Sequence, residues 1–186
     1  MSELHTKNRY LYISLEIFNR ELNGMLLLSL VATMRGWQVI FGGSSSILPH
    51  VGIFPSGVFL TKSSLPSDIE RVNNMRNHGH KVVSLDAEGL IPSNGESSIR
   101  IRYGEKTLKM TDRLFFWGSE QFNNATDVFP EIKKLGSVTG SPVFDYWRLL
   151  KSSHIKQKND GKKIILIATS FSFANHVLGS KQPYQA

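Results

Sequence analysis

The segment YLYISLEIFNRELNGMLLLSLVATMRGWQVIF, residues 10–41, decides the fold that we predict for this chain. Residues 10–15 form a short apolar run rich in β-forming side chains. Residues 17–35 carry apolar side chains around much of a helical surface, as in a helix that packs on a sheet. Gly36 supplies the left-handed residue that ends such a helix, and residues 37–41 predict a second strand. The segment therefore predicts a β-α-β unit, which closes a right-handed parallel crossover.

The alternation of strand and helix patterns continues along the chain. Further strands are predicted over residues 57–60, 81–85, 112–117 and 135–139. Further helices are predicted over residues 64–78, 119–123 and 142–150. Ser119 and Ser141 are the expected N-caps of the last two helices. Residues 42–55 are predicted to form a loop with room for a short helix, and residues 86–106 are less regular. This order predicts the α/β class with a mostly parallel sheet.

The C-terminal part of the sequence predicts a change of domain. Residues 1–150 contain the predicted first domain, and residues 151–163 are polar and lysine-rich, as in an interdomain linker. Residues 164–169 are apolar, as in a strand buried in a parallel sheet. Too few residues follow to bury that strand on both faces. We expect residues 164–186 to be the start of a truncated second domain, or else a segment that packs onto the first domain or a partner.

The composition restricts the classes of function. The 186 residues include no cysteine, and the six histidines lack metal-ligand spacing, so that no metal site is expected. Neither a G-x-G-x-x-G nor a Walker A pattern occurs, so that no cofactor is expected. The formal net charge of +7 is compatible with nucleic acid, an anionic membrane or a phosphorylated substrate, and equally with a solvated basic surface. No interleaved aromatic and basic motif supports nucleic-acid binding. Without a signal peptide or an apolar span, a cytoplasmic protein is expected.

Five segments in a fixed order carry a resemblance to a known family. They are LEIFNREL (15–22), GHKVVSLDAEGL (79–90), DRLFFWGSEQ (112–121), VTGSPVFDYWR (138–148) and IATSFSFANH (167–176). Together they resemble a family of surface carbohydrate biosynthesis proteins, which is similar to CDP-glycerol glycerophosphotransferases and other GT-B glycosyltransferases. The resemblance covers nearly the whole chain. It implies a Rossmann-like three-layer domain that is the N-terminal half of a GT-B fold.

The same resemblance implies a transferase with two halves that face each other across a cleft. The N-terminal half holds the glycan acceptor, and the C-terminal half holds the nucleotide of the activated sugar, which is CMP-linked in similar proteins that transfer Kdo and UDP-linked in others. Most of that second half is absent from this sequence. The partners implied are a nucleotide-sugar donor and a glycan acceptor, with the basic surface available for peripheral contact with the inner membrane.

The first candidate catalytic residues follow the first predicted strand. Glu16, Arg20 and Glu21 lie where ligands bind in open α/β sheets, at the carboxyl end of a strand. A carboxylate there can deprotonate an acceptor hydroxyl or stabilise an oxocarbenium-like state. An arginine can hold a phosphate or a sugar-acid carboxylate. The structural alternative is a surface pair between Glu16 and Arg20 at i,i+4 spacing, with acids favoured by the helix dipole.

The candidate substrate-binding residues follow the later strands. They are Glu88, Trp117, Gly118, Glu120, Gly140, Ser141, Asn175 and His176. Glu88 could act with Asp86 as a base and its partner, although Asp86 is better explained as a solvated loop acid. Trp117 could stack on a sugar or pack in the core, and Gly118 would let a ligand approach the backbone. The turn at Gly140 and Ser141 is explained fully by a helix cap, and lies near the interdomain cleft in GT-B enzymes.

Two functions of different class remain open at this point. One is an enzyme half that takes part in the transfer of a sugar or sugar acid to a glycan. The other is a non-catalytic accessory protein that retains the acceptor-side fold. Both require the polar residues at the strand ends to share a crevice, and we therefore expect Glu16, Glu88 and Trp117 to lie on the same side of the folded molecule.

Overall fold

The computed structural model describes residues 9–89 and 95–153, together with residue 165. Within these residues six strands form one sheet in the order β2-β1-β3-β4-β5-β6, and every neighbouring pair is parallel. The strands are β1 (Arg9–Leu15), β2 (Trp37–Gly43), β3 (Val58–Thr61), β4 (Lys81–Leu85), β5 (Arg113–Phe116) and β6 (Gly136–Val138). The all-parallel sheet confirms the predicted α/β class.

Helices connect successive strands. They are α1 (Phe18–Met34), α2 (Ser44–Ile47), α3 (Ile69–Asn77), α4 (Glu96–Arg102), α5 (Glu105–Lys109), α6 (Ser119–Val128), α7 (Ile132–Leu135) and α8 (Pro142–Ser153). Two 3₁₀ segments, Leu48–Ile53 and Pro66–Asp68, complete the connections that the structure describes. No helix of the described ranges is both long and apolar enough to cross a membrane.

The helices cover both faces of the sheet. Successive residues of a strand point to opposite faces, and on β1 the buried Tyr12 and Ile13 accordingly belong to different core clusters. Tyr12 packs with Val72 and Met75 of α3, whereas the cluster of Ile13 includes side chains of α1. The helix α8 packs against α1. The domain is therefore a Rossmann-like three-layer structure.

The predicted β-α-β unit is confirmed. The helix α1 is one residue shorter at each end than predicted, and Gly36 has the expected left-handed backbone, with φ 79°. The strand β2 is longer than predicted because its parallel pairing with β1 continues as far as Gly43 opposite Leu15. Part of the apolar surface of α1 does not pack on the sheet, since Leu30 and Met34 are 59% and 78% exposed.

Two connections differ from the prediction. The helix predicted over residues 64–78 is divided into a 3₁₀ turn and α3, because the buried Asp68 accepts hydrogen bonds from the Leu65 amide and the Ser63 hydroxyl. The region 86–106, predicted to be less regular, contains α4 and the start of α5. These helices are short, but Ile99 and Leu108 anchor them in the core.

The last two predicted helices begin as expected and extend further. Ser119 is the first residue of α6 and not its N-cap, since Gly118 takes that place. The preceding loop is held instead by Gln121, whose side-chain oxygen accepts the Trp117 amide at 2.9 Å. Ser141 does act as a cap, because its hydroxyl accepts the Val143 amide at 3.4 Å.

Candidate functional site

The carboxyl ends of the parallel strands bring charged residues from distant parts of the sequence together. Glu16 follows β1, Lys62 follows β3 and Asp86 follows β4. Seven residues at this edge are linked by ion pairs and form what we call the ionic cluster: Glu16, Arg20, Glu21, Lys62, Asp86, Glu88 and Arg102.

Glu21 holds the turn between β1 and α1. Its side chain is buried, and one carboxylate oxygen accepts the backbone amide of Glu16 at 2.9 Å. The other oxygen accepts a hydrogen bond from the Arg20 guanidinium at 3.0 Å. Both oxygens are engaged within the protein, and Glu21 therefore fixes the positions of its two neighbouring candidates.

Arg20 connects the first turn of α1 with the loop after β4. Its Nη1 donates to Glu88 at 2.9 Å, and its Nη2 donates to Glu21. Burial alone lowers the pKa of the Arg20 guanidinium, but the hydrogen bonds to Glu21 and Glu88 outweigh that effect and raise the pKa above its ordinary value. Both terminal nitrogens of Arg20 are thus already bonded to carboxylates of the protein.

Asp86 and Arg102 support the loop that carries Glu88. The guanidinium of Arg102 donates to both carboxylate oxygens of Asp86, at 2.8 and 2.9 Å, and also to the backbone oxygen of Glu88. Asp86 in turn accepts the Glu88 amide at 2.8 Å. The Asp86 side chain is only 14% exposed, and the interpretation of Asp86 as a solvated loop acid is therefore wrong.

Glu16 is the most exposed carboxylate of the ionic cluster. Its side chain is 52% exposed and forms an ion pair with Lys62 at the end of the neighbouring strand β3. The surface pair between Glu16 and Arg20 is not formed, because each residue has another partner. A small cavity of about 140 Å³ lies among Arg20, Lys62, Glu88 and Arg102.

The charge balance of the ionic cluster limits what it can bind. Four carboxylates face three cations, and every one of them is paired. An anionic ligand would have to displace a protein carboxylate from its cation. A neutral hydroxyl can instead donate to a carboxylate and accept from a guanidinium without adding charge to the ionic cluster. The arrangement thus suits a ligand rich in hydroxyl groups.

Trp117 lies beside the ionic cluster, in the wall of a larger cleft. The indole lies across Gly89, where a Cβ would be 2.6 Å from the ring, and makes an edge-to-face contact with Phe144 at 5.5 Å between ring centroids. Together with Arg20 and Glu88, Trp117 lines a cleft of about 380 Å³ between α1 and α8. Glu16, Glu88 and Trp117 thus lie at the same edge of the sheet.

The other candidates from the sequence lie apart from the ionic cluster. Gly118 has an ordinary extended backbone, and a Cβ there would meet nothing within 4 Å. Glu120 is exposed in the first turn of α6. Gly140 and Ser141 line a separate, mainly apolar groove of about 540 Å³ beneath α1 and α8. Asn175 and His176 lie outside the described residues.

The sequence did not single out Lys62 and Arg102 as site residues. Lys62 directly follows a four-residue strand, and its position after a strand end is the signal that could have identified it. Arg102 lies on α4, in the region predicted to be less regular. Among the residues that the structure describes, no group of three potential ligands could hold a metal ion.

Comparisons of this chain with models of protein families, with curated proteins and with solved structures find no match in any of the three.

Proposed function

We propose that this chain forms the acceptor-binding side of a glycosyltransferase that acts on surface polysaccharide. The observation that carries the proposal is the hydrogen bond between Arg20 and Glu88, which joins two strand ends into one crevice of fixed charges. Such a crevice suits the hydroxyl groups of a glycan. The nucleotide-sugar donor, CMP- or UDP-linked, would be presented from a separate donor-binding half.

In this proposal Glu16 is the group that meets the reacting hydroxyl. Its exposed carboxylate accepts the proton of the acceptor hydroxyl as the oxygen forms a bond to the anomeric carbon of the donor. The bond from that carbon to the nucleotide breaks, and the nucleotide phosphate takes the bonding electrons. Glu21 and Arg20 act as positioning residues, because their hydrogen bonds fix the backbone of Glu16 and the side chain of Glu88.

The proposal is tested first by binding. Isothermal titration of the chain with neutral oligosaccharides and with CMP- and UDP-sugars should show binding of the oligosaccharides alone. Tight binding of a nucleotide by this chain would contradict the assignment of donor recognition to another half. Glu16→Gln should retain oligosaccharide binding and abolish transfer when a donor-binding half is supplied.

One observation favours a second function, a carbohydrate-binding accessory protein without catalysis. Each carboxylate of the ionic cluster is paired with a cation of the protein, and a substrate hydroxyl would have to compete with that cation for the carboxylate. Product formation separates the two functions. Oligosaccharide binding without any transfer, in the presence of donor and a donor-binding half, would establish the accessory role.

A further inference from the structure

The cleft between α1 and α8 contains groups that the ionic cluster does not use. We call it the α1–α8 cleft, and its walls include Asn19, Asn23, Glu88, Trp117, Tyr146 and Trp147. Its volume of about 380 Å³ is at the small end of the range of roughly 300–1,000 Å³ that is typical of small-molecule sites. Because Arg20 and Glu88 also line the cavity of the ionic cluster, the two spaces adjoin.

A glycine brings the two helices close enough to form this cleft. Gly24 is buried, and a Cβ at this position would lie 2.8 Å from both the backbone nitrogen and a methyl group of Val143. The helix α8 therefore crosses α1 at close range. The crossing places Tyr146 and Trp147, one turn further along α8, opposite the amides of α1.

Phe144 connects two aromatic walls of the α1–α8 cleft, Trp117 at the sheet and Trp147 at the surface. Trp117 contacts Phe144 edge to face, and Phe144 contacts Trp147 in the same way at 5.1 Å between centroids. Trp147 at the outer end is 52% exposed. The contact with Phe144 fixes one edge of its indole, and the exposed part of the ring is accessible to a ligand.

Residues that line the α1–α8 cleft also carry polar groups without partners in the part of the chain that the structure describes. Asn19 and Asn23 are exposed, lie one turn apart on the same side of α1, and form no side-chain hydrogen bond within the described ranges. The indole nitrogen of Trp117 and the Nε of Arg20 are buried and likewise have no acceptor among the described residues. The cleft thus combines amide donors and acceptors with an aromatic surface.

We propose that the α1–α8 cleft is a second carbohydrate subsite, which binds a neutral pyranose ring next to the sugar held on the ionic cluster. This inference rests on the proposed acceptor-binding function. The C–H face of a pyranose packs on the Trp147 ring, and its hydroxyl groups bond to Asn19, Asn23 and Glu88. With four carboxylates and three cations, the ionic cluster beside it has one excess negative charge, which makes a neutral sugar more favourable than a sugar acid or a phosphate.

Saturation-transfer NMR with methyl glucopyranoside, methyl galactopyranoside and methyl mannopyranoside tests the subsite. At least one of the three should bind the full chain, with saturation strongest on the ring C–H protons. Trp147→Ala should raise the Kd by about tenfold, and Trp147→Phe should restore most of the affinity. Phe18→Ala, which removes an aromatic side chain of similar exposure on α1 outside the cleft, is the matched control and should leave the Kd unchanged.

Three further outcomes would overturn the subsite, and the first of them leaves the proposed function intact. If Lys62→Ala abolishes binding of the glycoside and Trp147→Ala does not, the sugar binds on the ionic cluster alone, and the subsite is overturned while the proposed function stands. Absence of binding by all three glycosides, or their displacement by CMP or UDP, would also overturn the subsite. Circular dichroism of each variant confirms that it is folded.

Discussion

Arg20 and Glu88 are separated by 68 residues in the sequence, and the guanidinium of one donates to the carboxylate of the other at 2.9 Å. The same guanidinium also bonds to the buried Glu21. The first turn of α1 and the loop after β4 are therefore joined through a single side chain. Substitution of a residue of the ionic cluster leaves its partners unpaired, and the resulting change in stability tests its role.

Glu16 and Glu21 should respond differently to substitution. Glu21→Ala leaves the Glu16 amide without its acceptor and removes one of the two partners of Arg20, and we expect the free energy of unfolding to fall by about 1–3 kcal/mol. Glu16→Gln changes an exposed pair and should alter that free energy by less than about 0.5 kcal/mol. Urea denaturation measures both. Equal losses would show that Glu16 is as structural as Glu21.

The Asp86–Arg102 pair should show a larger coupling energy than an exposed ion pair on α4, the helix that carries Arg102. A double-mutant cycle with Asp86→Ala and Arg102→Ala should give a coupling energy of about 1–3 kcal/mol, because the pair is bidentate and largely buried. Glu96 and Arg100 form an exposed i,i+4 pair on α4, and the same cycle there should give roughly 0.3–0.5 kcal/mol. Similar values in both cycles would contradict a supporting role for Asp86.

Gly24 should not tolerate a side chain. Helix propensity favours Gly24→Ala by roughly 1 kcal/mol, but the new Cβ would lie 2.8 Å from the Val143 backbone, which cannot move without displacing α8. We expect a net loss of about 1–3 kcal/mol in the free energy of unfolding and a change in tryptophan fluorescence, to which Trp147 contributes. Gly118→Ala, with open space around the new methyl group, is the control and should lose less, because only the preference for glycine at the N-cap of α6 is removed. A more stable Gly24→Ala protein would show that the two helices can separate freely.

Tyr103 should make stability depend on alkaline pH. Burial, and to a lesser extent the charge of Asp86, raise the pKa of the Tyr103 phenol. The folded state therefore keeps the neutral phenol while the unfolded chain ionises above about pH 10. The contribution of Tyr103 to the free energy of unfolding is therefore fully present below that pH. It is lost as the pH rises from there toward the raised pKa of the folded state.

Urea denaturation of the native protein and Tyr103→Phe between pH 9 and pH 11 measures this effect. The difference in the free energy of unfolding between the two proteins should be constant below about pH 10. Above that pH, the native protein should lose as much as ~1.4 kcal/mol for each pH unit relative to Tyr103→Phe. A difference that stays constant over the whole range would show that Tyr103 ionises as readily in the folded protein as in the unfolded chain.

The sequence predicted those parts of the fold that depend on local patterns. The bounds of β4 and the left-handed backbone at Gly36 agree with the structure, because apolar runs and glycines act within a few residues. The short helices α4, α5 and α7 were missed because tertiary packing of a few side chains stabilises them.

The candidate site was predictable in its location and not in its pairing. Polar residues after successive parallel strands do meet at one edge, as expected for Glu16 and Glu88. Which cation would bind each carboxylate depends on the spacing of strands and the direction of side chains, and the sequence contains no signal for either. The amides of α1 and the aromatic residues of α8 were missed for the same reason, since the crossing at Gly24 is what makes them neighbours.

The strand order carries a consequence for how this surface can change. The connection after β1 leads to β2 at one side of the sheet, and the connection after β3 leads to β4 on the other side. Their loops therefore diverge and leave a gap between the ends of β1 and β3. Glu16 and Lys62 lie on opposite sides of that gap, at the ends of β1 and β3, and are the residues at its rim. Since the gap arises from chain path, replacement of either rim residue can alter ligand preference while the layers beneath keep their arrangement.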